Sequence, residues 1–198
     1  MSETTVSHSL APLVTRLVSA AELEGEAVAQ VDPGHGPKEF IDALAEVGLY
    51  PDALKFLAHL LPRREAVWWA WMCARKEAGE DREPELDLAL KATERWVAEP
   101  TDEHRRAAMK AAEGATYETA AGCAALAAFL SQGSMAPPNV DEVPPPRFAT
   151  ARAVFGSLVL AAVAVQPERA QERFRRFLGF GLELAERIHL WETLERPN

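Results

Sequence analysis

Two cysteines, two tyrosines and no uncharged apolar run longer than the thirteen residues of Ala153–Val165 are what this 198-residue chain offers where other proteins offer more. Each scarcity excludes something. Cys73 and Cys123 sit in apolar helical patterns with no CxxC spacing and no histidine at ligand spacing. They are expected to be buried free thiols in a reducing cytoplasm rather than a disulfide or a metal site. A bilayer requires about 20 apolar residues, so Ala153–Val165 predicts a buried helix and no membrane span. The N-terminal "MSETTVSHSLAPLV" carries acids where a secretory signal would be basic, and no adequate apolar stretch follows it. Arg63–Arg64 lies too deep in the chain to serve as a twin-arginine export signal. The five histidines never pair at i,i+4, and neither HExxH nor an aspartate-rich calcium loop occurs, so no metal, cofactor or catalytic residue is expected.

Positive charge is scarce as well. Lysine and arginine number 21 against 30 acids, a net charge of −9, and the excess of acid falls in the first two-thirds of the chain. A phosphate backbone or an anionic membrane needs a basic footprint, so neither nucleic acid nor lipid is an expected partner. The loop "DPGHGPK" lacks both the spacing and the preceding strand of a phosphate loop, and reads as a turn before a proline-started helix.

What is present is helix punctuation. Pro37, Pro51, Pro62, Pro84 and Pro167 each precede an amphipathic run, where proline presets φ and its missing N–H costs no hydrogen bond. Helices are predicted over 9–18, 20–29, 37–47, 51–60, 62–78, 84–98, 102–113, 117–131, 149–165 and 167–194, with no strand pattern anywhere. The expected fold is all-α: a compact multi-helix bundle of helical hairpins around a central Trp-rich helix, with a proline-rich strap and a long C-terminal helix. Residues 1–8 are expected to be a flexible N-terminus and 9–194 one domain, made of hairpins over 9–131, the strap over 132–148 and a C-terminal helix pair over 149–194.

The stretch "LPRREAVWWAWMCARK" is the most distinctive. Trp68, Trp69 and Trp71 fall on a helix that is apolar on nearly all sides, which predicts a core of indoles more readily than an exposed recognition surface. Arg63 and Arg64 stand in its first turn, where the helix dipole disfavours cations. Two explanations compete. One is a structural clamp with Glu65 or with Asp42, Glu46 or Asp52; the other is an anion site built on the arginines and the amides after Pro62, with His59 and Glu65 as an acid–base pair in the same cleft.

Two further segments read as contact surfaces. "SMAPPNVDEVPPPR" holds five prolines, cannot be helical, and is either a stiff strap or a docking peptide displaying Pro144, Pro145 and Pro146. The final helix carries a basic ridge of Arg169, Arg173 and Arg176 and an apolar stripe reaching Ile188 and Trp191. As one helix it would span about 42 Å, so its end either packs on the bundle or projects to dock another chain, including a second copy of this one.

"FLAHLLPRREAVWWAWMCAR", "MAPP" through "VPPPRFATARAVFGSLVLAA", and "ERFRRFLGFGLELA" together resemble a bacterial family of uncharacterised all-helical proteins, with the likeness running over roughly residues 10–185. The resemblance implies no enzymatic activity and no ligand. It implies an association with type VI secretion gene neighbourhoods, hence a cytoplasmic adaptor or chaperone-like accessory with a protein partner. The residues themselves support a non-catalytic protein–protein interaction module, and leave as the alternative a small-molecule or anion binder, or an enzyme, using Arg63, Arg64, Glu65 and His59.

Overall fold

The computed structural model describes residues 10–195; the expected flexible segment 1–8 lies outside them. The described residues form eleven α-helices and no strands: α1 (Ala11–Ala20), α2 (Glu26–Ala29), α3 (Pro37–Glu46), α4 (Tyr50–Leu60), α5 (Arg63–Ala78), α6 (Pro84–Ala98), α7 (Asp102–Ala115), α8 (Ala120–Phe129), α9 (Ala149–Val163), α10 (Ala170–Arg187) and α11 (Leu190–Glu195). The all-α bundle expected from the sequence is the observed fold.

Proline starts α3, α4 and α6 within their first turn, and Pro62 takes the N-cap of α5. Gly48 closes α3 at φ 80°, and the Leu49 N–H returns to the Leu44 carbonyl at 2.9 Å, so α3 and α4 turn back on each other. Tryptophan-rich α5 lies at the centre, packed against α6, α8, α9 and α10. Trp69 is fully buried and donates its indole N–H to the Phe177 carbonyl at 2.9 Å. Trp71 is half-buried and donates to the Leu90 carbonyl at 3.0 Å, while half-buried Trp68 lies beneath the Arg187 guanidinium.

Small residues set how closely the helices approach. Alanines line α8, which packs against α5, α6, α7 and α9. At Gly181 on α10, a Cβ would stand 2.7 Å from Leu57 and 2.8 Å from the Trp69 ring, so only glycine lets α10 cross α4 and α5 here. Gly179 has nothing within 4 Å of such a Cβ and carries no comparable constraint.

Two predicted helices are interrupted. The run read over 20–29 breaks where Glu22 (φ 50°) and Gly25 (φ 55°) turn left-handed, leaving only α2 helical. The helix read over 167–194 is a 3-10 turn (Pro167–Arg169), α10 and α11, with His189 (φ 53°) breaking the last two apart. Helix α11 therefore does not project: Leu190 is buried, Ile188 and Trp191 pack on the core, and the Trp191 indole donates to Glu186, which also pairs with Lys38 at 2.7 Å. Among the described residues, no single helix is long and apolar enough to cross a membrane.

Candidate functional site

The first turn of α5 resolves how its two arginines are held. Arg63 Nη1 donates to the Ser131 carbonyl, just past the end of α8, at 2.6 Å. Arg64 Nε donates to the Val97 carbonyl at 2.7 Å and Nη2 to the Ala98 carbonyl at 3.4 Å, both at the end of α6. The last carbonyls of a helix lack intrahelical donors and carry the negative end of its dipole, so a guanidinium from the neighbouring helix satisfies both needs. Among the described residues, no carboxylate lies within ion-pair distance of either arginine, neither Glu65 nor Asp42, Glu46 or Asp52. The carboxylate clamp is thus replaced by backbone acceptors, and the arginines keep their net charge.

The same device recurs. Arg105, 0% exposed, donates to the carbonyls of Phe129 and Ser134 and is held by Asp102, and Arg106 donates to Ala136 at the start of the strap. Neither residue stood out in the sequence; the signal available was a second Arg–Arg pair, "EHRRAAMK", inside an alanine-rich helix. Both arginines hold Asp102 through hydrogen bonds, Arg106 the more strongly, which keeps that carboxyl below its usual range.

His59 and Arg63 come together; Arg64 and Glu65 do not join them. The end of α4, the start of α5, the end of the strap and the start of α9 enclose a cavity of about 190 Å³, whose wall includes His59, Pro62, Arg63, Arg147, Phe148 and Thr150. His59 is 7% exposed, with Nδ1 against the Lys55 carbonyl at 2.7 Å and its ring tilted on Phe148 at 5.3 Å. Nε2 is buried and has no hydrogen-bond partner among the described residues. Burial is the main reason the imidazole pKa lies below 6.5, opposed by the Lys55 carbonyl. The strap's last residues were missed as part of this wall because nothing local in "PPPRF" links it to His59.

The surfaces offered for a partner fare differently. Pro144 and Pro146 are exposed and Pro145 half-buried, in an extended segment that the Ser134 hydroxyl holds by accepting the Ala136 and Val143 N–H groups. The basic ridge of α10 is not an open surface. Arg173 is buried, donates to the Ala162 and Gln166 carbonyls, and pairs with Glu77 at 3.0 Å. Arg176 pairs with the other oxygen of Glu77, and Arg169 forks onto Glu172 one turn on.

A surface that sequence reasoning missed lies between α6 and α7. Leu88, Ala92, Ala107, Ala111 and Gly114 floor an open groove of about 360 Å³, bordered by Glu85, Lys91, Arg95 and Lys110. Leu88 is 61% exposed, the most exposed of the large apolar side chains. Lys91 pairs with Asp87 at 2.6 Å, whereas neither the Arg95 nor the Lys110 side chain has a hydrogen bond or ion pair among the described residues. The legible sign was Leu88 itself, out of phase with the buried positions Ala89, Leu90, Thr93 and Trp96.

The chain belongs to the family of unknown function DUF6931, whose model matches residues 40–185. The match runs from α3 into α10 and takes in both the groove and the cavity. No curated protein and no solved structure matches the chain.

Proposed function

We propose that this member of a family of unknown function is a non-catalytic protein–protein interaction module whose partner lays an amphipathic helix, apolar on one face and acidic at its flanks, into the groove between α6 and α7. The observation that carries this reading is the exposed Leu88 beside an alanine and glycine floor, bordered by Arg95 and Lys110, whose side chains have no partner among the described residues. Small floor residues let a helix approach closely, and exposed leucine gives it apolar area to bury. Arg95 and Lys110, unpaired against the one border carboxylate Glu85, select acidic flanks, in a chain that is acidic as a whole.

The setting implied by the family resemblance belongs to the same proposal: a cytoplasmic adaptor or chaperone-like accessory of type VI secretion, whose partner is an effector or a spike component. A photo-crosslinking residue at Ala107, with one at exposed Glu46 on α3 as control, tests the surface in host cells. The expected capture at Ala107 is a helical segment with acidic flanks. A synthetic peptide of that segment is then expected to bind at least about tenfold more weakly to a chain carrying Arg95→Glu and Lys110→Glu. Equal capture from Glu46, or a captured segment that is basic or extended, overturns the reading.

A further inference from the structure

Helix α6 is a wall of the α6–α7 groove and also a helix of the kind that the groove accepts, with Glu83 at its N-cap and Glu85 in its first turn. Its residues at the groove are Glu85, Leu88, Lys91, Ala92 and Arg95. Glu85, Leu88, Ala92 and Arg95 stand three, four and three positions apart, so they share one face of the helix. Along that face the order is acid, large apolar, small apolar, base. Read from the other end, every residue meets its complement. Laid antiparallel about a two-fold axis level with residue 90, Glu85 of one copy faces Arg95 of another and Leu88 faces Ala92, and symmetry makes each contact twice.

Both contacts are chemically matched. Leu88 is the most exposed of the large apolar side chains, and Ala92 offers it a floor that α7 continues with Ala107, Ala111 and Gly114. A leucine seated at an alanine lets two helix axes approach to about 8 Å, the close end of the usual range. Glu85 and Arg95 are exposed, and neither side chain has a hydrogen bond or ion pair among the described residues, so each brings an uncompensated charge. Lys91 is already held by Asp87 at 2.6 Å and asks for no partner across the contact. The chain carries a net charge of −9, which makes two copies repel in general, whereas this approach sets each acid on the other copy's base. A parallel approach of the same helices would set Glu85 on Glu85 and Arg95 on Arg95.

We propose that in the free protein a second copy of this chain covers the groove, through antiparallel pairing of α6 with α6 in a symmetric, reversible dimer. This rests on the reading of the groove as a helix-binding surface and adds its regulation: a partner helix with acidic flanks reaches Leu88 and Arg95 only as the dimer parts. Each copy contributes the outer faces of two helices, a contact at the small end of specific interfaces, where association is reversible.

The test is sedimentation equilibrium of the purified full chain from micromolar to millimolar concentration, with Glu85→Arg, Arg95→Glu, an equimolar mixture of the two, and the double variant. Both positions are exposed on α6, and circular dichroism checks that the variants stay helical. The wild-type chain is expected to dimerise. Each single substitution sets like charges together at both symmetric contacts and is expected to weaken the dimer at least about tenfold. The mixture restores both ion pairs in a heterodimer and the double variant restores them in a homodimer, so each is expected to return to within about threefold of wild type. A wild-type chain that stays monomeric at millimolar concentration, single substitutions without effect, or a loss that mixing fails to repair overturns the proposal. Any of these results leaves the wider reading of the groove to the segment captured at Ala107, and a failed capture leaves the pairing to the mixing experiment.

Discussion

Arginines stand at the start of both α5 and α10, and the two starts treat them in opposite ways. At α10, Arg173 and Arg176 share the two oxygens of Glu77, and their charge is neutralised within the fold. At α5, Arg63 and Arg64 are held only by carbonyls at the ends of α8 and α6. A carbonyl satisfies a guanidinium N–H without cancelling its charge, so α5 keeps a positive end where α10 does not. That difference explains why the arginine ridge of α10 offers no open surface, while the start of α5 borders a cavity without carboxylates.

The largest expected effect comes from breaking the neutralised end. Glu77→Ala leaves Arg173, whose side chain is 9% exposed, and Arg176 without a counter-charge, and is expected to cost about 3–5 kcal/mol by urea unfolding. Arg64→Ala, at the other end, removes hydrogen bonds to the Val97 and Ala98 carbonyls at the exposed close of α6. Water can replace it there, so the expected cost is about 1 kcal/mol with the fold intact. A loss as large as that of Glu77→Ala would mean that Arg64 has a carboxylate partner after all.

His59 lies in the wall of the cavity that the start of α5 borders. Burial is the main cause that holds its pKa below 6.5, with Lys55 and Arg152 lowering it further and the Lys55 carbonyl and Glu22 raising it. The folded state thus binds the imidazole proton more weakly than the unfolded chain. The stability that His59 contributes is full above pH 6.5 and is lost as pH falls from there through the lower folded pKa. His59→Phe is expected to flatten the stability–pH curve just below pH 6.5, and a curve parallel to wild type would remove His59 from the account. The smallest effect concerns Trp96, whose buried indole N–H has no partner among the described residues. Trp96→Phe deletes that orphan, and offsetting losses of ring volume and of an unsatisfied donor predict a change within about 1 kcal/mol.

Much of the fold could be read residue by residue because its signals are local. Pro37, Pro51 and Pro84 fix φ at helix starts, and Gly48 permits the left-handed turn between α3 and α4. The breaks at Glu22 and His189 escaped because a left-handed turn is uncommon for any non-glycine residue, histidine's enrichment there included, and neither is marked by a neighbouring glycine or proline. Arg63 and Arg64 stood out in the sequence as charges needing compensation, but their acceptors did not, because every residue has a carbonyl and none announces which helix end will face an arginine. The cavity was half legible: His59 and Arg63 are close in sequence, whereas Arg147, Phe148 and Thr150 arrive with α9. The α6–α7 groove was missed because one exposed leucine draws no attention in a helix whose other large apolar side chains are buried or half-buried.

The most direct test of the contrast between the two helix starts is a pair of double-mutant cycles by urea unfolding, Arg64 with Glu65 and Arg173 with Glu77, each residue replaced by its uncharged near-isostere, methionine or glutamine. The account predicts coupling close to zero for Arg64–Glu65 and about 1–3 kcal/mol for Arg173–Glu77. Equal coupling in the two cycles would contradict it, because the start of α5 would then be a neutralised clamp like that of α10.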